Sequence, residues 1–193
     1  MSHILAPWRS PLAKALHINR AKPYSRYFQL ATISAEGYPT NRTVVFRGFY
    51  EDTNWLQIIT DIRSEKYQHL QKRPQSEICW YFTKTREQFR INGHIDIITH
   101  QEKDQKMLNA RKQVWDKLSD NAKIQFTWAN PGETLNDESI ITPDNLDNPL
   151  DTFCLLIFKP QKVDHLQLKG NPQNRYLYQL EEQNHWEMSP INP

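Results

Sequence analysis

The chain has 193 residues, a length that fits one main domain spanning 1–193 with a buried core, and its 38% apolar and 11% aromatic content excludes disorder throughout. A formal net charge of +2 offers no basic excess for a polyanion, so nucleic acid is not an expected partner and any anion site must come from a few placed cations. Cys79 and Cys154, both inside apolar runs, read as buried free thiols of a cytoplasmic protein, and neither a signal peptide at Met1–Trp8 nor an apolar run of about 18 residues suggests a membrane.

In chain order, Ser10-Pro11 followed by Leu12, Ala13, Ala15 and Leu16 predicts a short packing helix capped by Ser10. Tyr27–Ile33 is rich in strand formers and ends at the turn-like Ser34–Pro39, so a hairpin is expected with its return strand over Thr40–Tyr50. A strand over Trp55–Thr60 leads to a helix that starts near Ser64, runs through Gln71 and is stopped by Pro74. Strands follow at Glu77–Thr83 and Gln88–Ile98, then a surface helix over Gln101–Leu118. Residues 127–151, rich in Pro, Gly, Asn and Asp, predict an irregular connection, and Thr134–Asn148 within it is a candidate cover for a site. Phe153–Phe158, Val163–Leu168 and Arg175–Leu180 read as the last strands. Strands in hairpin order with two or three helices suggest an antiparallel barrel decorated by helices, since closure removes exposed edges; a sandwich would give a similar pattern.

Three segments carry candidate chemistry. In Arg42-Thr43-Val44-Val45-Phe46-Arg47, strand alternation puts Arg42, Val44 and Phe46 on one face and Thr43, Val45 and Arg47 on the other. An arginine there can fork onto phosphate oxygens or serve as an ordinary ion-pair partner. At Thr60-Asp61-Ile62-Arg63-Ser64-Glu65-Lys66 a strand gives way to a helix whose N-terminus favours an anion, with Thr60, Arg63, Ser64 and Lys66 as extra donors; an N-cap by Asp61 or Ser64 is the plainer alternative. Gln88 opens a later strand with an amide that could meet a ring edge or merely face solvent. The seven histidines show no metal-type spacing, and no nucleophile elbow is present.

The order of these segments resembles the pyridoxamine 5'-phosphate oxidase family, in which an Arg-x-Val-Leu-Leu-Lys strand, a Tyr-Thr strand end, a Ser-Arg-Lys helix start and an Arg-Gln-Val strand hold flavin mononucleotide (FMN). The counterparts here are Arg42–Arg47, Ile59-Thr60, Ser64-Glu65-Lys66 and Glu87-Gln88-Phe89, with Arg175 matching a later family arginine. The resemblance, from about Phe28 to Tyr178, implies a mainly β fold with helices, the FMN-binding split barrel, working as a homodimer with flavin at its interface. It implies that Arg42 and Lys66 bind the flavin phosphate with Thr60 and Ser64, and that the backbone of Val44 and Val45 lies against the ring. Arg47 would stand on the substrate side and Gln88 at the ring edge, while Trp128 is a candidate to approach the partner's flavin.

The departures are informative. Glu65 stands where the oxidases have arginine, a loss that Arg63 is expected to offset, and Leu166 replaces a tryptophan. The Ser-Arg-Pro element that would hold a vitamin phosphate is not visible around Trp115–Asn121, and losing several such donors costs several kcal/mol, on the order of 1.5 to 3 for each charge-assisted bond. The sequence therefore reads as a flavin-dependent oxidoreductase of an uncharacterised branch, acting on an unknown small substrate, with no catalytic side chain assigned. Its rivals are a flavin carrier without turnover and, further off, a nucleic-acid-binding barrel that would stack bases on Tyr27, Phe28, Tyr81 and Phe82.

Overall fold

The apolar spacing of Leu12, Ala15 and Leu16 does produce a helix, α1 (Arg9–Asn19), but it begins one residue before the expected cap: Trp8 takes the N-cap position and no side chain caps it. Trp8 is fully buried against Trp186, and the Arg9 guanidinium lies 3.1 Å above the Phe49 ring, where burial lowers its pKa to about 10. The structure, a computed structural model, describes residues 5–135 and 145–193. The expected cover at Thr134–Asn148 therefore falls mostly on 136–144, outside the described residues.

The first hairpin forms as its alternation dictates. β1 (Tyr27–Ile33) buries Phe28, Leu30 and Thr32, and pairs with β2 (Pro39–Val45) so that Phe28 faces Val44 and Leu30 faces Arg42. The expected return strand over Thr40–Tyr50 is broken at Phe46-Arg47, because the chain changes partner there. The Phe46 N–H donates to Arg26 at 2.8 Å, whereas the next N–H, of Arg47, donates to Gln57 at 2.9 Å. Gly48, with φ at +124°, permits the bend into the two-residue β3 (Gly48–Phe49). β3 pairs with β4 (Leu56–Asp61), so β2 and β4 approach at one end and diverge at the other.

The chain continues through α2 (Glu65–Lys72), β5 (Gln75–Phe82), β6 (Glu87–Ile98), α3 (Gln105–Asp116) and α4 (Asp120–Ile124). α3 starts four residues later than the sequence suggests, since Asp104 accepts from the Lys106 N–H and fixes the cap. The short α4 was not expected. It ends just before the 127–151 connection, which holds little regular structure where it is described.

The two strands expected on either side of Pro160 are one, β7 (Phe153–Gln167). A proline has no N–H for the ladder, and β7 accommodates it beside a bulge of its own: Gly93 faces Pro160 and Asn92 faces Lys162, so Gln161 is left without a partner on β6. Only glycine fits there: a Cβ on Gly93 would stand 2.2 Å from the Lys159 carbonyl oxygen. The two halves of β7 then take different outer neighbours. Leu56–Asp61 of β4 pairs with Phe153–Phe158, and β8 (Asn174–Leu180) pairs with Lys162–Gln167. An unforeseen edge strand, β9 (Trp186–Ile191), completes a nine-stranded sheet of order β2-β1-β5-β6-β7-β4-β3, with β8 and β9 branching from β7.

The apolar run Phe153–Phe158 has no polar alternation because both its faces are buried. Cys154, Leu156 and Phe158 join the barrel core with Phe28, Trp80 and Phe89, while Phe153, Leu155 and Ile157 pack with Trp115 and Phe126 beneath α3. Phe28 and Phe82 are core residues, which removes two of the four stacking aromatics from the nucleic-acid reading. Of the expected buried thiols, Cys154 is fully buried, with its pKa pushed up to about 12 by that burial. Cys79, on the outward side of β5, is only half-buried. Among the described residues no helix is long and apolar enough to cross a membrane, and no three His, Cys, Asp or Glu side chains cluster as metal ligands would.

Candidate flavin site

Where β2 and β4 diverge, a cavity of about 430 Å³ opens. β2 and the bend after it supply Arg42, Thr43, Val44, Val45 and Arg47; the end of β4 and start of α2 supply Ile59, Thr60, Asp61, Arg63 and Lys66. Nine of the twelve residues marked in the sequence thus line one cavity. Ser64 stands just behind them as the N-cap of α2, its hydroxyl 2.9 Å from that of Thr60 and turned away from the helix amides.

Arg42 is held from behind. Nη1 donates to the Thr32 hydroxyl at 2.7 Å and to the carbonyls of Leu30 and Thr40 at 3.1 and 3.2 Å; Nη2 donates to the Thr40 hydroxyl at 2.9 Å. Buried His69 shares both hydroxyls through Nδ1, at 3.1 and 3.2 Å, so the hydrogen bonds that orient the arginine all go to hydroxyls and carbonyls. The Lys66 ammonium donates to the Thr60 hydroxyl at 2.9 Å. Burial, and then the nearby Arg42 charge, pushes the Lys66 amine below the ordinary lysine range; burial likewise lowers Arg42. Among the described residues neither cation forms an ion pair, nor does Arg47, whose Nε is buried without a hydrogen-bond partner. Two neighbouring cations with no carboxylate in ion-pair contact, together with two hydroxyls and a helix N-terminus, match a phosphate dianion.

Asp61 is the pocket's acid, and it is spoken for. Its Oδ1 accepts from the Arg63 N–H and Nε at 2.7 and 2.9 Å, and its Oδ2 accepts from Nη2 at 2.6 Å. Arg63 therefore does not replace the missing helix-start arginine as an available cation. The far wall is Ala122, Gln125, Phe126, Trp128, Ala129 and Pro131, so Trp128 stands at the pocket of its own chain.

A family model described as pyridoxamine 5'-phosphate oxidase, FMN-binding domain, matches residues 5–99, the part that carries Arg42 to Lys66. Pyridoxine/pyridoxamine 5'-phosphate oxidase 2 of Arabidopsis thaliana is 44% identical over 170 residues, 86% of each chain. The chain belongs to the pyridoxamine 5'-phosphate oxidase-related family of FMN-binding proteins. Its cofactor is FMN, and its fold is that family's split barrel. A pyridoxamine 5'-phosphate oxidase-related, FMN binding protein from Nostoc punctiforme superposes with a TM-score of 0.94 at 49% identity, covering 98% of this chain and 100% of its own. PhzG from Burkholderia lata, at 15% identity, shares the fold with a TM-score of 0.77 over 96% of this chain and 90% of its own.

Gln88 and Arg175 do not line the cavity. Gln88 lies on the outward side of β6 between Tyr81 and Leu166; Arg175 faces Leu166 from β8. Arg175 is engaged by Asp164, donating to its oxygens at 2.9 and 2.7 Å, and Arg90 donates to the same carboxylate. Sequence reasoning missed Thr32, Thr40 and His69 behind Arg42, and the wall from Ala122 to Pro131. Spacing offered two clues: Thr40 lies two residues before Arg42 on a strand, and His69 lies three after Lys66 on a helix, so each pair shares a face.

Proposed function

We propose that the protein is a flavin-dependent oxidoreductase acting on a small substrate, with the FMN phosphate held by Arg42, Lys66, Thr60 and Ser64 and the ring lying toward Val44, Val45 and Arg47. The observation that carries this reading is the pair of cations, Arg42 and Lys66, that form no ion pair among the described residues and line one preformed cavity. FMN, when bound, supplies the electron transfer; the chain's share is to fix the phosphate, orient the ring and shield it from water. Arg47, with its buried unpaired Nε, offers the ring side of the pocket a hydrogen-bond donor.

The proposal includes a homodimer. The outward residues Val45 and Tyr27 on one pair of strands, and Tyr81, Gln88, Leu166, Arg175 and Ile191 across the next five, make a face on which Tyr27 and Tyr81 are each 42% exposed. An isologous pairing through that face would bring a second copy's Gln88 and Arg175 to the pocket, which one chain does not do. Sedimentation equilibrium should give a dimer that Tyr27→Glu with Tyr81→Glu dissociates with loss of FMN affinity; a wild-type monomer that retains FMN would overturn this part.

The Arabidopsis relative's name makes pyridoxine and pyridoxamine 5'-phosphates the first substrates to try. Anaerobic mixing of the FMN-loaded protein with each should bleach the flavin absorbance if either is oxidised. One observation favours a carrier without turnover instead: the acid in the pocket wall, Asp61, is fully bonded to Arg63, so no free carboxylate faces the cavity among the described residues. A flavin that no candidate donor bleaches would support that second reading.

A further inference from the structure

Asp61 poses a problem of sign. It lines a cavity whose other charged groups are cations, and a carboxylate beside a bound phosphate would repel it. Its hydrogen bonds show what it does instead: both oxygens are spent on Arg63. From that anchorage the guanidinium reaches across to the opposite wall. Nη1 donates to the Trp128 carbonyl at 2.8 Å and to the Asn130 amide oxygen at 3.3 Å, and Nη2 donates to the Phe126 carbonyl at 3.3 Å.

Phe126 anchors the start of that segment in the core against Trp115 and Phe153, but the stretch after it has little else to fix it. Beyond the single turn Gln125–Thr127 it has no regular structure, and its backbone hydrogen bonds, Trp128 to Gln125 and Glu133 to Asn130, are both long at 3.4 Å. A hydrogen bond from the Thr152 hydroxyl to the Phe126 carbonyl at 2.9 Å ties its start, but the stretch bearing Trp128, Ala129 and Pro131 is tied by Arg63. The ion pair is partly buried, with side chains 25% and 15% exposed, so salt screens it only in part. A planar fork can serve a carboxylate and two carbonyls at once; a lysine ammonium cannot.

We propose that Arg63 is a positioning residue that latches the 125–131 segment across the flavin pocket, with Asp61 as its anchor, and that this latch sets how long FMN is retained. The proposal rests on that cavity being the FMN pocket. It predicts an effect opposite to simple electrostatics. Asp61→Asn removes a negative charge from an anion site, which by charge alone should tighten FMN; the latch requires that it speed FMN release, by about tenfold for the loss of one charge-assisted bond. Arg63→Ala should do the same or more, Arg63→Lys should not restore it, and the double variant should be no faster than Arg63→Ala alone, since both break one device.

The test is stopped-flow FMN release from the loaded variants into an excess of an FMN-scavenging protein, alongside amide hydrogen exchange of 125–131 in the FMN-free forms. Faster release with faster exchange is the expected result. Unchanged or slower release from Asp61→Asn overturns the latch, and so does unchanged exchange in FMN-free Arg63→Ala. Failure of the wild-type protein to take up FMN would overturn the pocket reading by itself, and the exchange data would still decide whether Arg63 holds the segment.

Discussion

Two pairs of strand- and helix-borne cations meet opposite fates in this molecule. Arg90 and Arg175 converge on Asp164, which accepts from both and is 8% exposed. Arg42 and Lys66 converge on a cavity, braced by hydroxyls, carbonyls and a histidine but by no acid. The first arrangement is complete without a ligand; the second, on the proposed reading, is completed by the FMN phosphate. A cation's residue type does not separate a structural ion pair from a binding site; the presence or absence of an internal counter-charge does.

The largest expected effect tests the incomplete pair. Arg42→Ala and Lys66→Ala should each weaken FMN binding about tenfold, and together about a hundredfold or more, by fluorescence titration. Wild-type affinity in both single variants would remove the phosphate from this cavity.

The complete pair should show its loss in stability. Asp164→Ala leaves two guanidinium groups facing each other and should cost about 1 to 2 kcal/mol in urea unfolding, at the low end for a buried pair because Arg90 is 43% exposed. Burial alone would push the Asp164 carboxyl up, but hydrogen bonds from Arg175 and Arg90 outweigh it and hold the carboxyl below the usual range. Its folded pKa thus lies below the unfolded value of about 3.9, so its contribution is whole above that pH and is lost as pH falls through the depressed value. Acid unfolding curves of Asp164→Asn should lack that component.

The smallest effect sharpens the contrast from the other side. The Lys66 amine is lowered by burial and by Arg42, so between its folded pKa and the unfolded value of about 10.4 the unfolded chain holds more protons. Stability of the FMN-free protein should therefore rise with pH across that window, and Lys66→Met should stabilise it by less than about 1 kcal/mol. A bound phosphate favours the charged amine, so FMN affinity should decline as pH rises through the lowered Lys66 pKa, a decline absent from Lys66→Met.

Much of the barrel was legible residue by residue. Tyr27–Ile33 alternates because one face is buried, and the helix from Ser64 to its stop before Pro74 follows from local chemistry. The misreadings arose where distant segments decide. Pro160 looked like a strand end because its tolerance depends on the residue it faces across the sheet, Gly93, 67 residues away in sequence. β9 contains Pro190 and little apolar patterning, so only its pairing to β8 makes it a strand. Of the site, nine lining residues were marked from motif order alone, but the wall from Ala122 to Pro131 was not, since nothing local links it to β2 or β4.

The sequence by itself determined the strand and helix periodicities, the order of the phosphate-type motifs and the family they resemble, because these depend on near neighbours along the chain. Tertiary structure alone decided which charges cancel. Asp61 pairs with Arg63 and Asp164 with Arg90 and Arg175, while Arg42 and Lys66 keep their charge for the cavity. Coulomb energy falls with distance in space, and distance in space is set by the fold.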